Sequence, residues 1–230
     1  MTTNKNSRVN KSRRTILIID DHPIMRQGLA QLIENEPDLA VCGEADDAFK
    51  GLGAVEALQP NLVLADISLP GRNGLELIKD IQAMHPEVMV LVISMHDESL
   101  YAERVLRAGG RGYVMKQEGG RRIIQAIRQV LDGQIYVSEK MSAKILEIFS
   151  GRRPASTGSR VEELTDREFE VFRLIGDGLC TREIADLLHL SVKTVEVHRA
   201  NIKGKLKLRT ATELIRHAVR WMESQGAANL

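Results

Sequence analysis

The chain has 230 residues, 43% hydrophobic and 27% charged, enough for one or two globular domains with ordinary cores. No apolar run approaches the ~18 residues of a membrane span. The net charge of +1 hides a split: residues 15–150 carry 13 basic and 20 acidic groups, whereas residues 151–230 carry 14 and 11. An acidic half and a basic half predict different partners.

In chain order, residues 1–14 hold Lys5, Arg8, Lys11, Arg13 and Arg14, no acid and no apolar core. They read as a disordered basic tail, not a secretory leader. Strand-like runs follow at Thr15–Asp20, Leu39–Glu44, Leu62–Asp66, Val88–Ser94 and Gly112–Met115. Helical patterns lie between and after them, near Ile24–Asn35, Asp47–Leu58, Gly74–Met84, Glu98–Ala108 and Gly120–Leu131. Such alternation predicts an α/β doubly wound, five-stranded parallel sheet over residues 15–132. Gly133 is placed to stop the fifth helix. Residues 133–160 read as a linker that includes an amphipathic helix near 138–149 and the Gly/Pro/Ser-rich run 151–159. Residues 161–226 read as all-helical, with capping boxes at Thr165-Asp166-Arg167-Glu168 and Thr210-Ala211-Thr212-Glu213. Cys42 and Cys180, far apart and without a CxxC pair, are expected to be free thiols in a reducing cytoplasm.

The chemistry concentrates at strand ends, where open α/β sheets bind ligands. Asp66 closes the apolar run Leu62-Val63-Leu64-Ala65, and Asp20 and Asp21 close the first strand. Three convergent carboxylates need a counter-charge, and with backbone oxygens they suit Mg²⁺. Two further strands end in Ser94 and in Tyr113-Val114-Met115-Lys116. An ammonium and a dication beside a carboxylate can neutralise an incoming phosphoryl group, giving an aspartyl phosphate. Tyr113 has a competing reading as a half-buried core aromatic. The six histidines show no metal-ligand spacing, and none is assigned to a metal.

Asp20-Asp21, Asp66 with Pro70 and Gly74, Ser94, Tyr113 and Lys116 together resemble the receiver domain of two-component response regulators, the CheY-like, flavodoxin-like fold, over Thr15–Val130. The resemblance implies Asp66 as phosphoacceptor and Mg²⁺ held by Asp20, Asp21, Asp66 and the Ser68 carbonyl. It implies Lys116 on the phosphoryl group and Ser94 with Tyr113 as a switch pair. Gln117 stands where many receivers have proline.

In the basic half, the run from about Cys180 to Arg199 reads as helix, His189-Leu190-Ser191 turn and second helix, a helix-turn-helix with Ser191 as N-cap. From Ser191 to Arg209 the bases Lys193, Arg199, Lys203, Lys205, Lys207 and Arg209 face one acid, Glu196. That is an electrostatic footprint for phosphates. Leu164-Thr165 with Arg167-Glu168, Glu183-Ile184-Ala185, Ser191–Arg199 and Lys205-Leu206 resemble the LuxR-type domain of the NarL/FixJ regulators. By that resemblance Glu196, Val197 and Ala200 face base edges, and Lys193, Thr194, Arg199, Lys203 and Lys205 hold the backbone. The last helix, Ala211–Trp221, is either a dimer face or core packing through Leu214, Ala218 and Trp221.

The function implied is a cytoplasmic, phosphorylation-activated transcription regulator with no membrane partner. A sensor histidine kinase phosphorylates Asp66, and the DNA-reading helix is released from a contact between the domains. A homodimer then binds double-stranded promoter DNA, with RNA polymerase as a further candidate partner. It is not an enzyme beyond slow self-dephosphorylation. Two rivals are an aspartyl-phosphate phosphatase, which would need a DxD motif that Asp20-Asp21-His22 does not form, and a DNA-binding protein indifferent to phosphorylation.

Overall fold

The computed structural model describes residues 13–70, 72–143 and 160–227. Most of the expected tail and the second half of the expected linker helix lie outside the described residues.

Strands β1 (Arg14–Ile19), β2 (Leu39–Ala45), β3 (Leu62–Ala65), β4 (Met89–Ser94) and β5 (Gly112–Met115) form one parallel sheet in the order β2-β1-β3-β4-β5. Helices α1 (Pro23–Glu34), α2 (Ala48–Leu58), α3 (Gly74–Met84), α4 (Glu98–Arg107) and α5 (Gly120–Leu131) join the strands and follow the last. Each boundary falls within a residue or two of expectation, the ordinary scatter of helix and strand ends. Arg14, which the sequence placed in the tail, already belongs to β1.

Alternate strand residues face opposite sides of the sheet. Leu17, Ile19, Val63, Ala65, Val90 and Val92 pack toward α2, α3 and α4, whereas Ile16, Ile18, Leu62, Leu64, Leu91 and Ile93 pack toward α1 and α5. All but Val92, at 1%, are fully buried, and each valine, leucine and isoleucine among them is worth about 1.5–3 kcal/mol of transfer free energy. Both faces being covered explains why the strands read as unbroken apolar runs.

Gly133 and Gly74 are both required by the backbone. Gly133 follows α5 at φ +82, a left-handed conformation that glycine adopts without strain. Gly74 opens α3, and a Cβ there would stand 2.3 Å from the Asp66 carbonyl oxygen. Beyond α5 the chain turns back onto the sheet edge. Tyr136 N–H donates to the Arg111 carbonyl, and Tyr113 N–H donates to the Tyr136 carbonyl, a parallel bridge to β5. Residues 139–143 are helical, the described start of the expected linker helix.

The second unit opens with a 3₁₀ turn, Arg160–Glu163, and continues in α6 (Asp166–Gly176), α7 (Thr181–Leu187), α8 (Val192–Leu206) and α9 (Ala211–Ala227). Thr165 caps α6 in a reciprocal box with Glu168. At α9 the box is shifted. Thr210 Oγ1 accepts from Glu213 N–H, but Glu213 reaches back to the N–H of Arg209. Leu214 and Ala218 are fully buried, and Trp221 meets Phe169 and Phe172 edge-on at 5.5 and 5.7 Å. Core packing therefore claims these three side chains.

Candidate functional site

Asp20, Asp66 and Lys116 meet at the C-terminal edge of the sheet. Parallel pairing of β1 with β3 puts Ile19 beside Ala65, so the residues that follow, Asp20 and Asp66, emerge together. Asp20 is fully buried and Asp66 is 2% exposed. Lys116, one residue beyond β5, sends Nζ to 2.6 Å from Asp66 Oδ2 and 2.7 Å from Asp20 Oδ2. Its own N–H donates to the Ser94 carbonyl, tying the lysine loop to β4. Burial raises the Asp66 carboxyl above its ordinary range, against the pull of Lys116. Burial also opposes the Lys116 charge, but the Asp66 and Asp20 carboxylates outweigh it and hold the ammonium protonated.

Asp21 completes the acid group, and its carboxylate, those of Asp20 and Asp66 and the His22 imidazole each bring one ligand atom within 4.8 Å of the others. Asp20 Oδ2 and Asp21 Oδ1 are buried without a hydrogen-bond donor, although Lys116 Nζ and His22 Nδ1 are close by. Buried carboxylate oxygens lacking donors, with an ammonium on one side, are a donor set that fits a hard dication such as Mg²⁺. Ser68 N–H donates to Asp66 Oδ1 at 3.3 Å, which places Ser68 on the loop beside the acids. His22, to which the sequence assigned no metal role, stands beside these acids. A search for spaced ligands passes over a residue adjacent to the acids.

The other two strand ends frame the pocket. Ser94 is 1% exposed, and its Oγ accepts from His96 N–H. Tyr113 is 1% exposed and its hydroxyl donates to the His96 carbonyl at 2.7 Å. Tyr113 is thus both core and polar contact. Burial drives its phenol far above the ordinary range.

His96 was not singled out by the sequence, yet it joins two regions. Its Nε2 lies 2.8 Å from Ser68 Oγ on the acceptor loop. Its ring stacks on Tyr101 of α4 at 5.2 Å. Burial, then the Arg173 and Lys116 charges, push its pKa down to about 4, so the ring is neutral. Fully buried Tyr101 accepts from Arg173 Nε of α6 at 3.1 Å and meets Phe169 edge-on.

A line of contacts, a hydrogen bond, a ring stack and a second hydrogen bond, therefore runs from the acid pocket into the helical unit, and further contacts clasp the two units. Asn73 accepts from Leu75 N–H to cap α3 and donates to Glu170 at 3.0 Å; Glu170 also takes Arg167. Arg104 of α4 donates to the carbonyls of Val161 and Leu164 and to Asp166, and lies 4.2 Å above the Phe169 ring. Lys79 of α3 also pairs with Asp166. Asn73 and Glu170 are 97 residues apart in sequence. The one local hint was Arg167 and Glu170, a charged pair at i, i+3 on an otherwise apolar face of α6.

In α7–α8 the turn passes through His189 at φ 51, and Ser191 caps α8 by accepting from Thr194 N–H. Lys193, Glu196, Val197 and Ala200 are exposed; Thr194, Arg199 and Lys203 are half-buried. Lys205 is partly committed inside the domain, with Nζ 2.6 Å from Glu168 Oε2. The expected base-facing residues Glu196, Val197 and Ala200 are thus exposed with the two units docked.

The response regulator receiver domain family matches residues 16–128, and the luxR family of bacterial regulatory proteins matches residues 162–218. DegU of Brevibacillus brevis, a transcriptional regulatory protein, is 30% identical over 94% of this chain and 97% of its own. The nitrate/nitrite response regulator NarL of Escherichia coli is 34% identical over 89% of this chain and 94% of its own. Among solved structures, RcsB of Salmonella enterica serovar Typhimurium, bound to promoter rprA with phosphomimetic BeF₃⁻, is 26% identical, covering 90% of this chain and 99% of that one, with a TM-score of 0.61. The chain belongs to the NarL/FixJ family of two-component response regulators, a receiver domain joined to a LuxR-type helix-turn-helix DNA-binding domain.

Proposed function

We propose that Asp66 is the phosphoacceptor and that its phosphorylation sets how the DNA-binding domain is held. The observation that carries this is the Asp20–Lys116–Asp66 cluster, a buried carboxylate flanked by an ammonium and two further acids. An Asp66 carboxylate oxygen attacks the phosphorus of a phosphohistidine on a sensor histidine kinase. The O–P bond forms as the P–N bond breaks, and the imidazole that leaves takes up a proton. Asp20, Asp21, Asp66 and the Ser68 carbonyl would hold Mg²⁺, which supplies charge neutralisation at the phosphoryl oxygens. Lys116 would turn from the two carboxylates to the phosphoryl group. Turnover goes no further than slow self-dephosphorylation.

The new group carries nearly two negative charges and oxygens that compete for Ser94 and Ser68. Ser94 and Tyr113 would respond as the switch pair, with Tyr113 bound to the His96 carbonyl. His96 would pass the change to Tyr101 and so to Arg173. A local electrostatic event then biases a two-state contact. Because Glu196, Val197 and Ala200 are already exposed, the contact acts on the orientation of the reader rather than on its cover. A dimer in the cytoplasm would place two readers on promoter half-sites about one helical turn apart. Lys193, Thr194, Arg199, Lys203 and Lys205 would grip phosphates, with RNA polymerase as the downstream partner. The promoter complex of RcsB with a phosphomimetic supports this reading.

Labelling the full chain with radioactive acetyl phosphate and Mg²⁺ should mark wild type and leave Asp66→Asn blank. Label that survives the substitution sinks the assignment. The open reading face favours one alternative, DNA binding without phosphate. Equal promoter affinity with and without phosphodonor would select it.

A further inference from the structure

We propose that His22 is a ligand of the cation pocket and that the pocket therefore takes borderline transition-metal dications, of the Mn²⁺ and Co²⁺ class, more tightly than Mg²⁺. The proposal rests on the cation reading of the Asp20–Asp21–Asp66 cluster. His22 occupies the N-cap position of α1, where a side chain ordinarily accepts a hydrogen bond from the first turn. Here it makes no such bond. Its backbone N–H instead donates to Asp20 Oδ1 at 2.8 Å, fixing the residue over the acids. The ring is largely exposed, 65% of the side chain, but its Nδ1 lies 2.7 Å from Asp21 Oδ1 and 3.3 Å from Asp20 Oδ1, at the mouth of the pocket.

Those spacings carry the argument. Two cis ligands of an octahedral ion, each about 2.1 Å from it, stand about 3.0 Å apart. The separations of Nδ1 from the two carboxylate oxygens bracket that value. Asp20 Oδ2 and Asp21 Oδ1 are buried carboxylate oxygens whose near neighbours are Lys116 Nζ and His22 Nδ1, each at 2.7 Å. An all-oxygen site suits Mg²⁺, and adding an imidazole shifts preference toward transition metals along the Mn²⁺ < Co²⁺ series. The rival is a simple ion pair in which His22 competes with any cation for the acids. The two readings predict opposite signs, because removing a competitor strengthens binding and removing a ligand weakens it.

The test uses the full chain with Mn²⁺, Co²⁺ and Mg²⁺, each competed against the others. Pulsed electron paramagnetic resonance of bound Mn²⁺ should show modulation from a directly coordinated nitrogen in wild type and none in His22→Ala. His22→Ala should lose about tenfold in Mn²⁺ and Co²⁺ affinity, with Mg²⁺ affinity unchanged. Absence of the nitrogen signal in wild type overturns the proposal, as does equal or tighter binding of all three metals to His22→Ala. Mg²⁺ retention shows that the variant is folded. The underlying pocket is tested separately: Asp66→Asn should abolish competition among the three metals, and if it does not, the cation reading itself fails.

Discussion

The acid pocket and the reading helix solve opposite problems. Asp20 and the Lys116 side chain are 0% and 4% exposed, and their charges answer one another inside the protein. On α8, Val197 is 52% exposed, and Lys193 and Glu196 stand in solvent. A reactive site needs low dielectric and fixed geometry so that one added phosphoryl group is strongly felt. A surface that reads DNA needs charges that remain available. Lys116 is therefore part of the stability of its domain, whereas Lys193 is not.

The largest effect that would sharpen the contrast is at Lys116. Lys116→Met leaves Asp20 and Asp66 buried without their ammonium, and should cost about 3–5 kcal/mol in urea unfolding, partly restored by Mg²⁺. A loss of about 1 kcal/mol or less, the size of an exposed pair, would mean that the pocket is solvated. Arg104→Ala comes next. It removes two carbonyl contacts, an Asp166 pair and a ring contact between the units, and should weaken docking by about 1–3 kcal/mol. Hydrogen exchange should rise on α4 and α6 while Asp66 labelling is unchanged; unaltered exchange would show that the clasp lies elsewhere.

On the reading helix, Lys193→Ala with Arg199→Ala should flatten the dependence of log affinity on log salt by about 2. Each should move stability by no more than about 0.5 kcal/mol. A large fall in melting temperature would break the contrast. The smallest effect concerns acid. Burial opposes the Glu168 charge, but Lys205 and the Thr165 N–H outweigh it and hold the carboxyl below its ordinary value of 4.5. A depressed folded pKa contributes stability above the unfolded value and loses it as pH falls through the folded one. Glu168→Gln should remove that acid-sensitive component, read as a flatter melting temperature below about pH 4.5.

Much of the receiver was legible because strand ends are local. An apolar run with its closing acid, or the end of α5 with its stop at Gly133, is each a signal only a few residues long. The clasp was illegible, since Asn73 finds Glu170 and Tyr101 finds Arg173 only after both units have folded. His96 carried no signal because its importance comes from three neighbours in different elements. Periodicity in α9 could not decide between core and interface until Trp221 was seen against Phe169 and Phe172.

The parallel bridge between Tyr136 and β5 bears on how two copies can meet. An unpaired outer strand invites another chain to extend the sheet. Tyr136 occupies the carbonyl of Arg111 and the N–H of Tyr113, so the start of that border is already taken by the chain's own continuation. Extension of the sheet along the start of β5 is thereby discouraged. The same stitch makes the strand bearing Tyr113 the mooring from which the interdomain tether departs.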